Sequence, residues 1–210
     1  MGGVRIRYWH LFLVLLVILS LVWTIGTISR GEQKPLQRMM SEDDVKNSLN
    51  AFAFDLFLKL ELERENNIVS PLSVYSALVI VYEGAEGETA DEMASTLHLL
   101  GENPAQGYRS LLESLSGIEA LKVANALWVQ RDFPIRRDYL KRVSDYYSGV
   151  VENLDFAKDP EGSRRRINEF VREKTAGKID ELLPRGSLDG MTRLVVTNAA
   201  HFKGNWKYRF

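Results

Sequence analysis

The chain has no cysteine. Disulfides, thiolate metal sites and a cysteine nucleophile are therefore excluded, and stability has to come from the core. An extracytoplasmic location remains open; it is simply not being used for crosslinks. Histidine is nearly as scarce, with three residues, His10, His98 and His201. None stands with a serine or cysteine and an acid in a nucleophile motif, so each reads as structural. There is no phosphate-binding glycine loop, no G-x-S-x-G and no H-E-x-x-H, and Gly84-Ala85-Glu86-Gly87 reads as a turn. A hydrolase or nucleotide enzyme fails on this inventory: no catalytic residue, cofactor or metal site is expected.

Charge of one sign is also missing. The balance of 27 basic and 28 acidic residues leaves a net charge of -1, which gives no whole-protein attraction to nucleic acid. The basic runs Arg164-Arg165-Arg166 and Arg136, Arg137, Lys141, Arg142 read as solvated helix faces, and the segment from Pro104 to Ser116 carries only Arg109. Repeats and low-complexity tracts are absent. A composition of 45% hydrophobic and 26% charged residues is that of a globular chain.

One long hydrophobic run is present. From Trp9 to Ile28 there is no charged residue, and Leu11 through Leu19 are all apolar. As a helix rising about 1.5 Å per residue this span would cover the ~30 Å hydrocarbon core of a bilayer. Arg5 and Arg7 precede it, which favours a cytoplasmic amino terminus with the remainder outside; Arg30 and Lys34 oppose that orientation. Residues 1–30 are expected to be a retained signal-anchor or a cleaved signal peptide, with membrane contact through residues 9–28. Residues 31–40, with Gly31 and Pro35, read as a linker, and the folded part is expected over 41–210.

In that part the hydrophobic period alternates between two values. Ser41 and Asp44 resemble a capping box ahead of Val45, Leu49, Phe52, Leu56 and Leu60, an amphipathic helix. Ser70 and Pro71 mark the N-cap and first position of a second, largely apolar helix running to Gly84. Thr89 and Glu92 suggest another capping box, opening a third helix, and Pro104 to Ser116 a fourth. Leu121 to Gln130 reads as a strand, Arg136 to Ser148 as a helix, and Val150 to Phe156 as a strand. Ser163 to Thr175 is predicted helical and closed by Gly177, and Arg193 to Phe202 is predicted as a third strand. By the two-residue period Leu194, Val196, Asn198, Ala200 and Phe202 share one face, which sets an amide among apolar inward residues. A buried amide there requires a partner. The fold class is α+β, a multi-helix domain packed on a partly antiparallel sheet.

Three segments carry a family resemblance: Asn67-Ile68-Val69-Ser70-Pro71-Leu72-Ser73 on to Gly84-Ala85-Glu86-Gly87-Glu88-Thr89-Ala90-Asp91-Glu92-Met93; Ile167-Asn168 through Thr175-Ala176-Gly177-Lys178-Ile179; and Asn198-Ala199-Ala200-His201-Phe202-Lys203-Gly204-Asn205-Trp206. In order and spacing they resemble the serpins, the serine-protease-inhibitor family, over nearly all of residues 41–210. The resemblance implies a large, mostly antiparallel sheet, incomplete at the carboxyl end of this chain. It places Ser70, Ser73 and Asn198 in the shutter, where side chains hold neighbouring strands together until the sheet opens, and Trp206 in the breach, where an inserting strand enters.

The resemblance further implies an inhibitor of a serine-type or cysteine-type protease. Such inhibitors act when a cleaved reactive loop inserts into the sheet as a new strand. That loop lies near the family's carboxyl end, so it is expected to be absent from a chain ending at Phe210. Three readings follow: an inhibitor inactive alone, a module that pairs with a separate carboxyl-terminal fragment, or a nonfunctional product. The strand at 193–202 is expected to show an open apolar edge, a site for pairing with another chain.

Overall fold

The computed structural model describes residues 38–60, 68–99, 102–205 and 208. The hydrophobic run at 9–28 and Trp206 lie outside the described residues. Among those described, no helix is long and apolar enough to cross a membrane.

Local sequence signals set most element ends. Helix α1 (Glu42–Lys59) begins with the expected capping box: the Ser41 hydroxyl accepts from the Asp44 amide at 3.2 Å, and the Asp44 carboxylate accepts from the Ser41 amide at 2.9 Å. Helix α2 (Pro71–Tyr82) starts at its Ser70 cap. Helix α3 (Gly87–Thr96) departs from expectation, because Thr89 and Glu92 do not cap it. Gly87, at φ +60°, makes the turn two residues earlier, a conformation that costs glycine little. Helix α4 (Ala105–Ser116), strand β1 (Leu121–Gln130), helix α5 (Arg137–Tyr147) and strand β2 (Gly149–Leu154) follow. Helix α6 (Pro160–Lys174) begins three residues ahead of the expected Ser163, since the Asp159 carboxylate caps the Gly162 amide at 2.8 Å and Pro160 suits the first turn. Strand β3 (Leu194–Phe202) ends the described elements.

The sheet has the order β2-β1-β3, with β1 parallel to β2 and antiparallel to β3. Strand β1 is covered on both faces, which is why Asn125 through Gln130 are buried without alternation. Leu127 and Val129 face a core built from α1 to α5, whereas Ala126 and Trp128 face a second, smaller core under α6 and its connector to β3. Strand β3 is likewise two-sided: Leu194 and Val196 join the helical core, and Val195 and Ala199 the core under α6. Its outer edge has no partner strand among the described residues.

Candidate functional site where α2 meets the sheet

Register determines which polar side chains meet. Asn198 of β3 lies directly opposite Asn125 of β1, and both point to the helical face. The Asn198 Nδ2 donates to Asn125 Oδ1 at 2.8 Å, and Asn125 Nδ2 donates to the Tyr147 carbonyl at 2.9 Å. Asn198 Oδ1 is buried with no hydrogen-bond partner among the described residues. Leaving such an acceptor unsatisfied costs about 1–3 kcal/mol, so a donor arriving beside β3 has a receptive site.

The serines form a separate pair. Ser70 Oγ and Ser73 Oγ are 2.9 Å apart, and the Ser73 amide donates to Ser70 Oγ at 3.3 Å. Helix α2 packs against β3. The serines are bonded to each other and Asn198 to Asn125, with no hydrogen bond between the two pairs.

A column of aromatic rings fixes that layer. Phe52, Tyr75, Tyr108 and Tyr147 follow one another with centroids 5.7, 6.3 and 5.2 Å apart. Tyr75 shares a 2.7 Å hydrogen bond with Ser48, and Tyr108 donates to Ser76. Burial pushes the Tyr75 phenol up to about 12, opposed by the Ser48 bond. Tyr147 is held well above the ordinary tyrosine value by burial, then by the Glu83 carboxylate to which its hydroxyl donates at 2.6 Å. Arg142 Nε donates to the same carboxylate at 2.6 Å, joining the end of α2 to α5.

On the opposite face one expectation needs correction. Arg164 is not on a solvated helix face: it is 6% exposed, donating to Glu161 at 2.9 Å, Glu181 at 2.6 Å and the Leu183 carbonyl at 2.8 Å. Asn168 completes the attachment. Its Nδ2 donates to the Leu183 carbonyl at 2.9 Å, and its Oδ1 accepts from the amides of Leu182 and Leu183 at 3.0 and 2.8 Å. These two residues bind the connector to α6. Arg166, in the same run, is partly solvated and forms a double hydrogen bond with Glu152 at 3.0 and 2.7 Å.

Asn125 and Glu83 escaped the sequence reading, and Arg142, read there as part of a solvated basic face, instead donates to the buried Glu83 carboxylate. Asn125 had a signal, since it shares the face of Val123 and Leu127 by strand parity; the Glu83–Arg142 contact spans 59 residues and had none. His98 is paired with Asp55 at 2.8 Å on the surface, and His201 lies toward the end of β3. No group of three or more His, Asp or Glu among the described residues is placed to hold a metal ion.

The model of the family Serpin, serine protease inhibitor, matches residues 47–210. An uncharacterized serpin-like protein of Thermococcus kodakarensis is 41% identical over 189 residues, spanning 87% of this chain and 42% of that protein. A leukocyte elastase inhibitor of Bos taurus is 40% identical over 164 residues, spanning 76% and 44%. Among solved structures, ovalbumin from the emu superposes with a TM-score of 0.75 at 27% identity, covering 80% of this chain and 48% of that one. The chain therefore spans less than half the length of these relatives.

Proposed function

We propose, from the premise that the chain belongs to the serpin family, that it supplies the strand-accepting part of a protease inhibitor acting on a serine-type protease. The observation that carries this reading lies at β3, where, among the described residues, the outer edge has no partner strand and the buried Asn198 Oδ1 no donor. A strand added there would satisfy both. Ser70, Ser73 and Asn198 take the shutter role in this reading, with Asn125 holding Asn198 in place. The protein is then an inhibitor and not a hydrolase. Residues 9–28 anchor it, or direct it outward before cleavage, so that the folded part works outside the cytoplasm.

A second reading, a module completed by a separate polypeptide that carries the rest of the fold, is favoured by a different observation. Phe54, Phe57 and Leu58 stand 71%, 58% and 78% exposed on the side of α1 away from its buried Val45 and Phe52. Three large apolar side chains together on one helix face suit a protein contact.

Both readings meet in one experiment. The chain is incubated with trypsin-like, chymotrypsin-like and subtilisin-like proteases, alone and together with a polypeptide covering the remainder of the serpin fold. A denaturant-resistant complex on a gel, formed only with the second polypeptide, is expected. Digestion in both mixtures would reject the inhibitor reading.

A further inference from the structure

A different part of the molecule invites a small ligand. Ile167, Phe170 and Val171 form the buried stripe of α6, and at helical spacing the next position on that stripe is Lys174. Along the face of β1 that looks toward α6, Trp128, Ala126 and Ala124 are followed by Lys122. Two stripes directed into the same layer therefore both end in lysine, at the same end of the layer, where apolar residues would continue the pattern.

Between them lies a cavity of about 450 Å³, within the ~300–1,000 Å³ typical of small-molecule sites. The small side chain of Ala124 leaves the space, the Phe170 ring and Val150 supply apolar wall, and both lysines line it. The Lys174 ammonium sits 5.5 Å from the centre of the Phe170 ring. Favourable interaction with the carboxyl end of α6 accounts for Lys174 but not for Lys122.

The helix ends bordering the cavity leave few free acceptors. The Tyr147 carbonyl at the end of α5 is taken by Asn125, and in the last turn of α6 the carbonyls of Val171, Arg172 and Glu173 accept from Thr175, Gly177 and Ala176. The other polar and charged residues of the lining are Lys122, Lys174, Ser148 and Glu173.

The geometry points to a binding site for a small organic acid, with an apolar body against Phe170, Val150 and Ala124 and its carboxylate between Lys122 and Lys174. The site stands independently of the inhibitor reading. Its position on the α6 face of β1 and β2 separates it from β3's open edge, because β1 lies between β2 and β3.

The test titrates the full 210-residue chain with naphthalene carboxylate and, for comparison, its uncharged carboxamide, by calorimetry. Saturable one-to-one binding of the carboxylate is expected, about tenfold tighter than the carboxamide, since a hydrogen bond to a charged partner is worth roughly a factor of ten. Lys122→Ala and Lys174→Ala each weaken it by about the same factor, whereas Glu173→Gln tightens it about two- to fivefold by removing the opposing charge. Ala124→Phe, which fills the space, abolishes it. Far-UV circular dichroism identifies any variant that fails to fold, and the exposed lysine and glutamate variants keep the comparison available if Ala124→Phe does so. Equal affinity for acid and amide, unchanged affinity in the lysine variants, or no saturable binding would overturn the assignment.

Discussion

The two faces of the sheet are built differently. Against the helical face, five helices bury a continuous core in which four aromatic rings in successive contact join α1, α2, α4 and α5, and the polar groups inside are largely paired. On the other face a single helix and its connector cover a core half that size, in which the sheet contributes Trp128 and Val195 together with the small side chains of Ala126 and Ala199. There the connector is held to α6 by hydrogen bonds from Arg164 and Asn168; Leu183 and Leu188 from it are buried in the core, and Ile179 and Leu182 are half-buried against it. The helical face is a platform for β1 and β3, and the α6 face is a cover. Under the proposed function, a sheet that admits another strand needs one layer that stays fixed and another that can yield.

Matched leucines break the comparison most sharply. Leu127 and Leu183 are 0% and 1% exposed, one in each core. Leu127→Ala is expected to cost about 4–5 kcal/mol, near the top of the range for buried leucines, because strand and helices around it cannot collapse into the space; Leu183→Ala is expected near 2–3 kcal/mol, since its connector can. Urea unfolding of both variants provides the measurement, and equal losses would contradict the distinction.

Next in size is Arg164→Met. It removes one of the two donors to the Leu183 carbonyl, the other being Asn168, and leaves Glu181 free to hydrate, so the urea midpoint should fall by less than in Leu183→Ala. Its sharper signature is location: amide exchange of residues 178–189 should accelerate while α2 and α4 remain as protected as in the parent. Asn125→Ala should cost about 1–3 kcal/mol on the helical side by leaving Asn198 Nδ2 without its acceptor. There the exposure should spread to β3.

Alkaline titration distinguishes the faces by their tyrosines. Tyr75, Tyr108, Tyr139 and Tyr147 all belong to the helical side, and burial raises each. A phenol raised in the folded state contributes stability that is complete below its unfolded value of about 10 and lost as pH climbs above it. Tyrosinate absorbance should therefore rise late and together with loss of the helical core. The smallest effect lies at acid pH. Asp44 is held below the usual carboxylate range by the Ser41 amide and hydroxyl, so its contribution is present above pH ~4 and disappears as pH falls through the lowered value. The urea midpoint should drop between pH 5 and pH 3, less so in Asp44→Asn.

Much of this architecture was legible in the residues. Ser41 and Asp44, Ser70 and Pro71, and the change of period at Leu121 are short-range signals with local causes, and the elements begin close to them. The shared face of Leu194, Val196 and Asn198 follows from strand geometry alone, and it is the face that meets the helices. What eluded the sequence depends on distant partners. Arg164 sits in a run of three arginines and looks solvated until residues 181–183 fold back over it. Thr89 looked like a cap until Gly87 supplied an earlier turn. At the candidate site Asn198, Ser70 and Ser73 were identifiable by motif, but Asn125 required the register of β1 against β3. Both strands also proved buried on two faces, a consequence of α6 lying over a sheet whose other side the helices already occupy.

Native-state hydrogen exchange on the full chain tests the difference between platform and cover most directly. The amides of α6 and residues 178–189 are predicted to open at lower denaturant, and with smaller free energy, than those of α2, α4 and β1, so that the cover loosens while the platform remains closed. Simultaneous exchange of both faces, or opening of α2 and α4 ahead of α6, would contradict it.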